Sequence, residues 1–277
     1  MSVHANVVFK NEAILLKHLV EVWKHYPIDE WVFYDDRSTD ESVEIVKTLP
    51  GIVTVINDHL DGPFHETYCR NRMLEYSRAN GAEFVVALDA DEFISTNALK
   101  EWDIFLEVHK QIDVEPFWYN LVNDVNHIRY DPMYVNNYKS FVMYVPETRS
   151  FKEYPQLNIH CTRNAPSNLP KVRTKKYGLM HLQSLNLKYY ALKQLWYKHW
   201  EYTDLGLSVP QLNAKYDPVV NGLDLKPRPT PSEKVEGIDI SADIFEELLE
   251  VKQYKKYILD HLVPELVTFG KEYLYED

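Results

Sequence analysis

Between Val7 and Phe93 the chain alternates four times between a short apolar run and an amphipathic stretch, and that alternation restricts the fold more than any other feature. Val7-Val8-Phe9, Trp31-Val32-Phe33-Tyr34, Ile52-Val53-Thr54-Val55-Ile56 and Phe84-Val85-Val86-Ala87-Leu88 are too short for helices and rich in β-branched and aromatic residues, so they read as buried strands. Helical patterns separate them. Leu15, Leu19, Val22, Trp23 and Tyr26 recur at helical spacing until Pro27. Ser38 and Glu41 form a capping box for a helix to about Leu49. Asp61-Gly62-Pro63 turns into a helix from about His65, closed by Asn80-Gly81. The pattern predicts an α/β fold with a mostly parallel sheet flanked by helices, and ligands of such sheets gather at the carboxyl ends of the strands.

Three polar clusters stand at those ends: Lys10-Asn11-Glu12, Asp35-Asp36 and Asp89-Ala90-Asp91. In an extended segment residues i and i+2 share a face, so Asp89 and Asp91 converge while Ala90 turns away. Paired carboxylates of this kind suit Mg²⁺ or Mn²⁺. Such ions bind phosphate oxygens as readily as carboxylates, which points to a diphosphate partner and to cleavage of a bond to it.

Composition narrows the partners. The 277 residues carry 30 basic against 42 acidic side chains, a net charge of -12, with no run of Lys or Arg able to track a phosphate backbone, and this excludes nucleic acid. Two cysteines, Cys69 and Cys161, make neither a disulfide scaffold nor a zinc site and fit a reducing compartment. No stretch approaches the roughly 20 apolar residues of a membrane span, and Met1 to Lys10 lacks a signal pattern. The expectation is a cytoplasmic protein with no integral membrane segment.

Beyond Phe93 the period changes. A helix near Asn97 to Lys110 leads to aromatic-rich strands around Val114 to Asn123, Ser140 to Val145 and Leu157 to Cys161, expected as antiparallel additions. Residues 204 to 240, with Lys226-Pro227-Arg228-Pro229-Thr230-Pro231, read as an extended surface segment, and a final helix is expected from Ser241 to about Leu262.

The motif order resembles the nucleotide-sugar half of a GT-A-fold glycosyltransferase similar to family 2, carried by Val8-Phe9-Lys10-Asn11-Glu12, Phe33 to Asp40, Arg70-Asn71 and Asp89-Ala90-Asp91. It also looks like glycosyltransferases of large DNA viruses. The resemblance implies a domain over residues 1–203, with a nucleotide-sugar-binding half at 1–93 and an acceptor half at 94–203, followed by a linker and C-terminal helix at 204–277. It implies that Asp36 accepts a hydrogen bond from the donor base, with a UDP-sugar favoured, and that Lys10, Asn11, Glu12, Arg70, Asn71 and Asp89 line the donor. Asp89, Asp91 and His181 would hold Mn²⁺ or Mg²⁺, with His160 as the alternative histidine. An inverting mechanism, favoured over a retaining one, needs a general base; Glu147 and Glu153 are the candidates beside the catalytic Asp91, with Asp124 and Asp131 nearer in sequence. The family's usual Glu-Asp pair is missing from that interval. The acceptor is a glycan or small hydroxyl compound.

Other readings fit less of the chain. A nucleotidyltransferase usually carries a Gly-rich phosphate loop, and Val7 to Ala13 contains no glycine. An aspartyl phosphatase would normally place its Asp-x-Asp on the first strand, with Thr or Val two residues beyond. A glycan-binding protein on a decayed transferase fold would not need to keep both metal-site carboxylates.

Overall fold

The structure, a computed structural model, describes all residues except 63, 131–135, 149–150, 152–162, 222–226, 248 and 276–277. In chain order the elements are β1 (Val3–Phe9), α1 (Ala13–Trp23), β2 (Glu30–Asp35), α2 (Ser42–Val46), β3 (Ile52–Ile56), α3 (Glu66–Ala79) and β4 (Phe84–Asp89). Then follow β5 (Glu92–Ile94), α4 (Thr96–Lys100), α5 (Trp102–Val108), β6 (Asp113–Val122), β7 (Asp124–Ile128), β8 (Val142–Tyr144) and β9 (Lys171–His181). The chain ends with α6 (Leu187–Leu205), α7 (Val209–Asn221), β10 (Arg228–Pro229), α8 (Leu249–Asp260) and α9 (Lys271–Leu274). These elements form two compact units.

The first unit comprises Met1–Tyr119, Tyr138–Met180 and Ser232–Glu236. Its main sheet has the order β3-β2-β1-β4-β8. The first four strands run parallel, and β8 is antiparallel to β4. The expectation of a mostly parallel sheet with helices against it is met, because β1, β2 and β4 are buried on both faces and carry the apolar runs 7–9, 31–34 and 84–88. Trp23 of α1 stacks on Trp31 of β2 at 5.4 Å between ring centroids, and Trp31 stacks on Phe33 at 5.9 Å. Each such ring contributes roughly 2–3 kcal/mol by burial. In this unit β9 lies between β6 and β5.

The second unit comprises Asn120–Asn137, His181–Pro231 and Gly237–Asp277. Here the end of β6 pairs antiparallel with β7, and β7 with β10. Around α6 an apolar core gathers Leu192, Leu195, Leu212, Tyr216, Ile258 and Leu266. Asn186 caps α6 by accepting from the Tyr189 N–H at 3.0 Å, and Gly206 ends it at φ 66.

Several expectations are corrected. Residues 209–221, read as part of an extended segment, form α7. Pro210 falls in its first turn, where a missing N–H costs nothing, and Leu212, Tyr216 and Val220 bury one helical stripe. The helix expected near Asn97 to Lys110 is broken into α4 and α5. The one expected from Ser241 is a 3₁₀ segment, Ala242–Glu247, before α8. Leu157 to Cys161 and His160 lie outside the described residues. Among those described, no helix is long and apolar enough to cross a membrane.

Candidate functional site

Strand register brings the three polar clusters to one edge of the main sheet. Phe9 pairs with Asp35 across β1 and β2, and Val8 pairs with Asp89 across β1 and β4, so the three strands end level. The loops leaving them are short and mutually braced. Asn11 sits at φ 54, accepts the Thr39 N–H on Oδ1 at 2.7 Å and donates its own N–H to Ser38 Oγ at 2.9 Å. Glu12 donates its N–H to Ser42 Oγ at 2.9 Å, and its carbonyl accepts from Leu16 N as α1 begins. The capping box expected from Ser38 and Glu41 therefore does not form. Ser38 is spent on the loop after β1, α2 starts only at Ser42, and Asp40 Oδ1 accepts the Ser42 N–H at 3.0 Å.

Asp36 is 4% exposed. Its Oδ1 accepts from Arg37 Nε at 2.9 Å and Nη2 at 2.7 Å, and its Oδ2 faces Lys10 Nζ at 3.2 Å. Lys10 and Arg37 thus hold the carboxylate in place by charge-assisted hydrogen bonds, with Arg37 at φ 59. Asp35 has a local duty, accepting the Ser38 N–H at 3.0 Å.

At the exit of β4 the carboxylates meet guanidinium groups. Arg70 of α3 binds Glu66 one turn back and reaches Asp89 Oδ1, each at 2.7 Å. Arg163 binds Asp89 Oδ2 and lies 2.8 Å from Glu92 Oε1. Glu92, fully buried, also accepts from Trp118 Nε1 at 2.8 Å and from the Asp89 N–H at 3.0 Å, which pins the turn carrying Asp91. Burial opposes charge on Arg163, but Asp89 and Glu92 outweigh it and raise its pKa. Lys139 stands with its ammonium 4.5 Å from the Trp118 ring centroid, and burial, reinforced by Arg163, pulls its pKa down.

The expected residues fall into three groups. Lys10, Asn11, Glu12, Asp36, Arg70, Asp89 and Asp91 share the sheet edge, with Asp91 8% exposed in the turn before β5. Asn71 of α3 accepts the Phe151 N–H on Oδ1 at 2.8 Å. Glu147 is exposed in a 3₁₀ turn after β8, where the Val145 N–H donates to Glu83 O, at the opposite end of β4 from Asp89. Six residues of strand separate the two ends, roughly 17–20 Å. Glu153 and Asp131 lie outside the described residues. His181 ends β9 in the second unit, buried, with Nδ1 2.8 Å from Asn120 Oδ1; Asp124 belongs to that unit too. Arg163 and Lys139 escaped sequence reasoning because nothing local marks an isolated cation as a partner of residues tens of positions away.

The two aspartates fit a divalent cation by chemistry. Mg²⁺ and Mn²⁺ take hard oxygen ligands, and Mg²⁺ commonly keeps several waters and uses one or two carboxylates plus substrate phosphates. Asp89 already holds positive charge on both oxygens. Among the described residues no group of three or more His, Cys, Asp or Glu forms a preformed cage.

The sequence profile of glycosyl transferase family 2 matches residues 6–160, more than half of the chain. No curated protein is significantly similar. Among solved structures, residues 1–349 of S. aureus TarS are 16% identical, with 80% of this chain and 70% of that one covered at a TM-score of 0.42. GalNAc-T7 with UDP, GalNAc and Mn²⁺ is 14% identical, covering 93% and 58% at 0.44. Glucosyl-3-phosphoglycerate synthase from Mycobacterium tuberculosis, with Mn²⁺, UDP and glucosyl-3-phosphoglycerate, is 18% identical, covering 42% and 44% at 0.33.

Proposed function

The chain belongs to glycosyl transferase family 2, and from that membership we propose that it moves a sugar from a UDP-sugar to a hydroxyl of a glycan or small acceptor, with Mn²⁺ or Mg²⁺ at Asp89 and Asp91. The observation that carries this reading is the level ending of β1, β2 and β4, which puts a buried acceptor carboxylate and a paired-carboxylate turn on the same sheet edge. Asp36 takes the base: uracil offers one N–H in its plane, and a carboxylate held by Lys10 and Arg37 is a strong acceptor for it. The metal, when bound, offsets the charge that develops on the departing diphosphate. Arg70 adds a fixed cation on the α3 side of Asp89, oriented before substrate arrives, so little reorganisation accompanies bond cleavage. Asn11, Ser38, Thr39 and Asp40 keep the base-side loops rigid through side-chain to backbone hydrogen bonds. Glu147 lies at the far end of β4 and has no part in this proposal, which names no general base.

The test is calorimetric titration of UDP and GDP with Mn²⁺ and then with EDTA, on the protein and on Asp91→Ala. We expect UDP binding that needs the metal and weakens at least about 100-fold in the variant, the loss of one charge-assisted ligand to the ion. UDP affinity indifferent to both EDTA and Asp91→Ala would overturn the assignment.

A further inference from the structure

Arg163 is the cation least accounted for by folding alone. Its side chain is 8% exposed, it bridges Asp89 and Glu92, and its Nε is buried with no hydrogen-bond partner among the described residues. Lys139 places its ammonium 4.5 Å from the Trp118 ring centroid, to which the Arg163 guanidinium lies at 6.0 Å, and it has no carboxylate within ion-pair distance among those residues. Two donors therefore stand beside Asp89 without acceptors of their own, in a place that burial makes costly for an unmatched cation.

The oxygen of Asp89 that Arg163 holds is one that a divalent ion would need. A dication held by Asp89 would weaken the guanidinium's hold on that oxygen, because two positive groups on one carboxylate repel at close range and low dielectric. We propose that Arg163 is an exchangeable cation at Asp89, displaced by the incoming metal onto the diphosphate of the donor, where Lys139 joins it as a second phosphate-binding group. A diphosphate supplies the missing acceptors, several anionic oxygens able to take both Nη donors and Nε of a guanidinium and a nearby ammonium. Glu92 keeps Trp118 and the Asp89 N–H through the exchange, so the turn stays in place while Arg163 swings. The inference rests on the metal reading of Asp89 and Asp91 given above, and adds the residues that grip the phosphates.

The decisive experiment measures Mn²⁺ binding alone by electron paramagnetic resonance, and UDP binding at saturating Mn²⁺ by calorimetry, on the full chain and its variants. Arg163→Gln should bind Mn²⁺ alone about fivefold more tightly, because a competitor is gone. The same variant should bind UDP with Mn²⁺ about tenfold more weakly, because a charged hydrogen-bond donor is gone. Lys139→Gln should weaken UDP by a similar factor and leave Mn²⁺ alone unchanged. A guanidinium that merely braces the fold would weaken both affinities in Arg163→Gln, and that result overturns the proposal. If Asp91→Ala loses Mn²⁺ while Arg163→Gln leaves it unaltered, the metal site stands and the exchange is wrong. If the unaltered protein binds no Mn²⁺ with or without UDP, the metal reading itself fails. Should Arg163→Gln not fold, Arg163→Lys keeps a charge beside buried Glu92 but cannot span both carboxylates, and it should shift the two affinities in the same opposite directions by less.

Discussion

In the helical unit Lys198 of α6 is fully buried and donates to Asp217 Oδ1 and Thr268 Oγ1, each at 2.8 Å. One turn on, buried Glu201 accepts from Lys215 on both oxygens, at 2.7 and 2.9 Å, and from the Tyr216 hydroxyl at 2.9 Å. In the strand unit, buried Glu92 and half-buried Asp89 face Arg70 and Arg163, and Lys139, over Trp118, has no carboxylate at ion-pair distance among the described residues. Both networks use carboxylates, cations and an aromatic donor. The first matches its donors with acceptors inside the protein; the second carries Arg163 Nε, buried with no hydrogen-bond partner among the described residues. Buried charge alone therefore does not mark a functional site, since desolvation is tolerated wherever partners close the network. What marks it is the surplus, located at the carboxyl ends of parallel strands.

The sharpest way to break that contrast is Lys198→Ala. Removing a fully buried cation strips its stem of packing and leaves Asp217 only the Thr268 hydroxyl, for an expected loss of about 3 kcal/mol in stability. UDP affinity in the presence of Mn²⁺ should stay the same. Denaturant unfolding together with nucleotide titration checks both, and a loss of UDP binding in a folded Lys198→Ala protein would show that the helical network also serves the ligand. Tyr216→Phe makes a smaller cut in the same network. Glu201 keeps both bonds to Lys215, so the expected cost is about 1 kcal/mol, the value of one hydrogen bond to a buried charged group that retains other partners. A loss several times larger would mean that Lys215, which is half exposed, contributes little and that the hydroxyl alone satisfies Glu201.

How much of this was visible in the sequence follows the range of the interactions. β1, β2 and β4 could be read directly because strands buried on both faces carry apolar runs, and β3, a half-exposed edge strand, because its residues are β-branched. Asp36, Asp89 and Asp91 could be read because parallel strands place their following residues at one edge. The second unit was harder. The stripe Leu212, Tyr216, Val220 was present but masked by Pro210 and Pro218, which read as breakers although the first sits where a helix tolerates proline. Asn11 was expected against the donor; that its left-handed backbone and its bonds to Ser38 and Thr39 also brace two loops was not legible. Arg163 was invisible because its meaning lies in Asp89 and Glu92, which no periodicity connects to it. Sequence patterns report faces and periods; they do not report which lone cation reaches which carboxylate across the fold.

The smallest effect expected is one the two networks share. His109 in the strand unit and His199 in the helical unit are both buried, and each donates from Nδ1 to the carbonyl one turn back, Phe105 O at 2.7 Å and Leu195 O at 2.8 Å. Burial lowers both pKa values below the ordinary 6.5. Asp113 opposes the shift at His109, whereas Lys198 and His261 add to it at His199. With folded values depressed, the unfolded chain binds more protons below pH 6.5. Stability is then complete above that value and declines as pH falls toward the folded pKa. At pH 6.0 no single histidine can withdraw more than about 0.8 kcal/mol. Urea midpoints at pH 7.5 and 6.0 should differ in the unaltered protein, and His199→Gln and His109→Gln should each remove part of that difference. Equal slopes in all three proteins would mean that neither imidazole governs the acid limb.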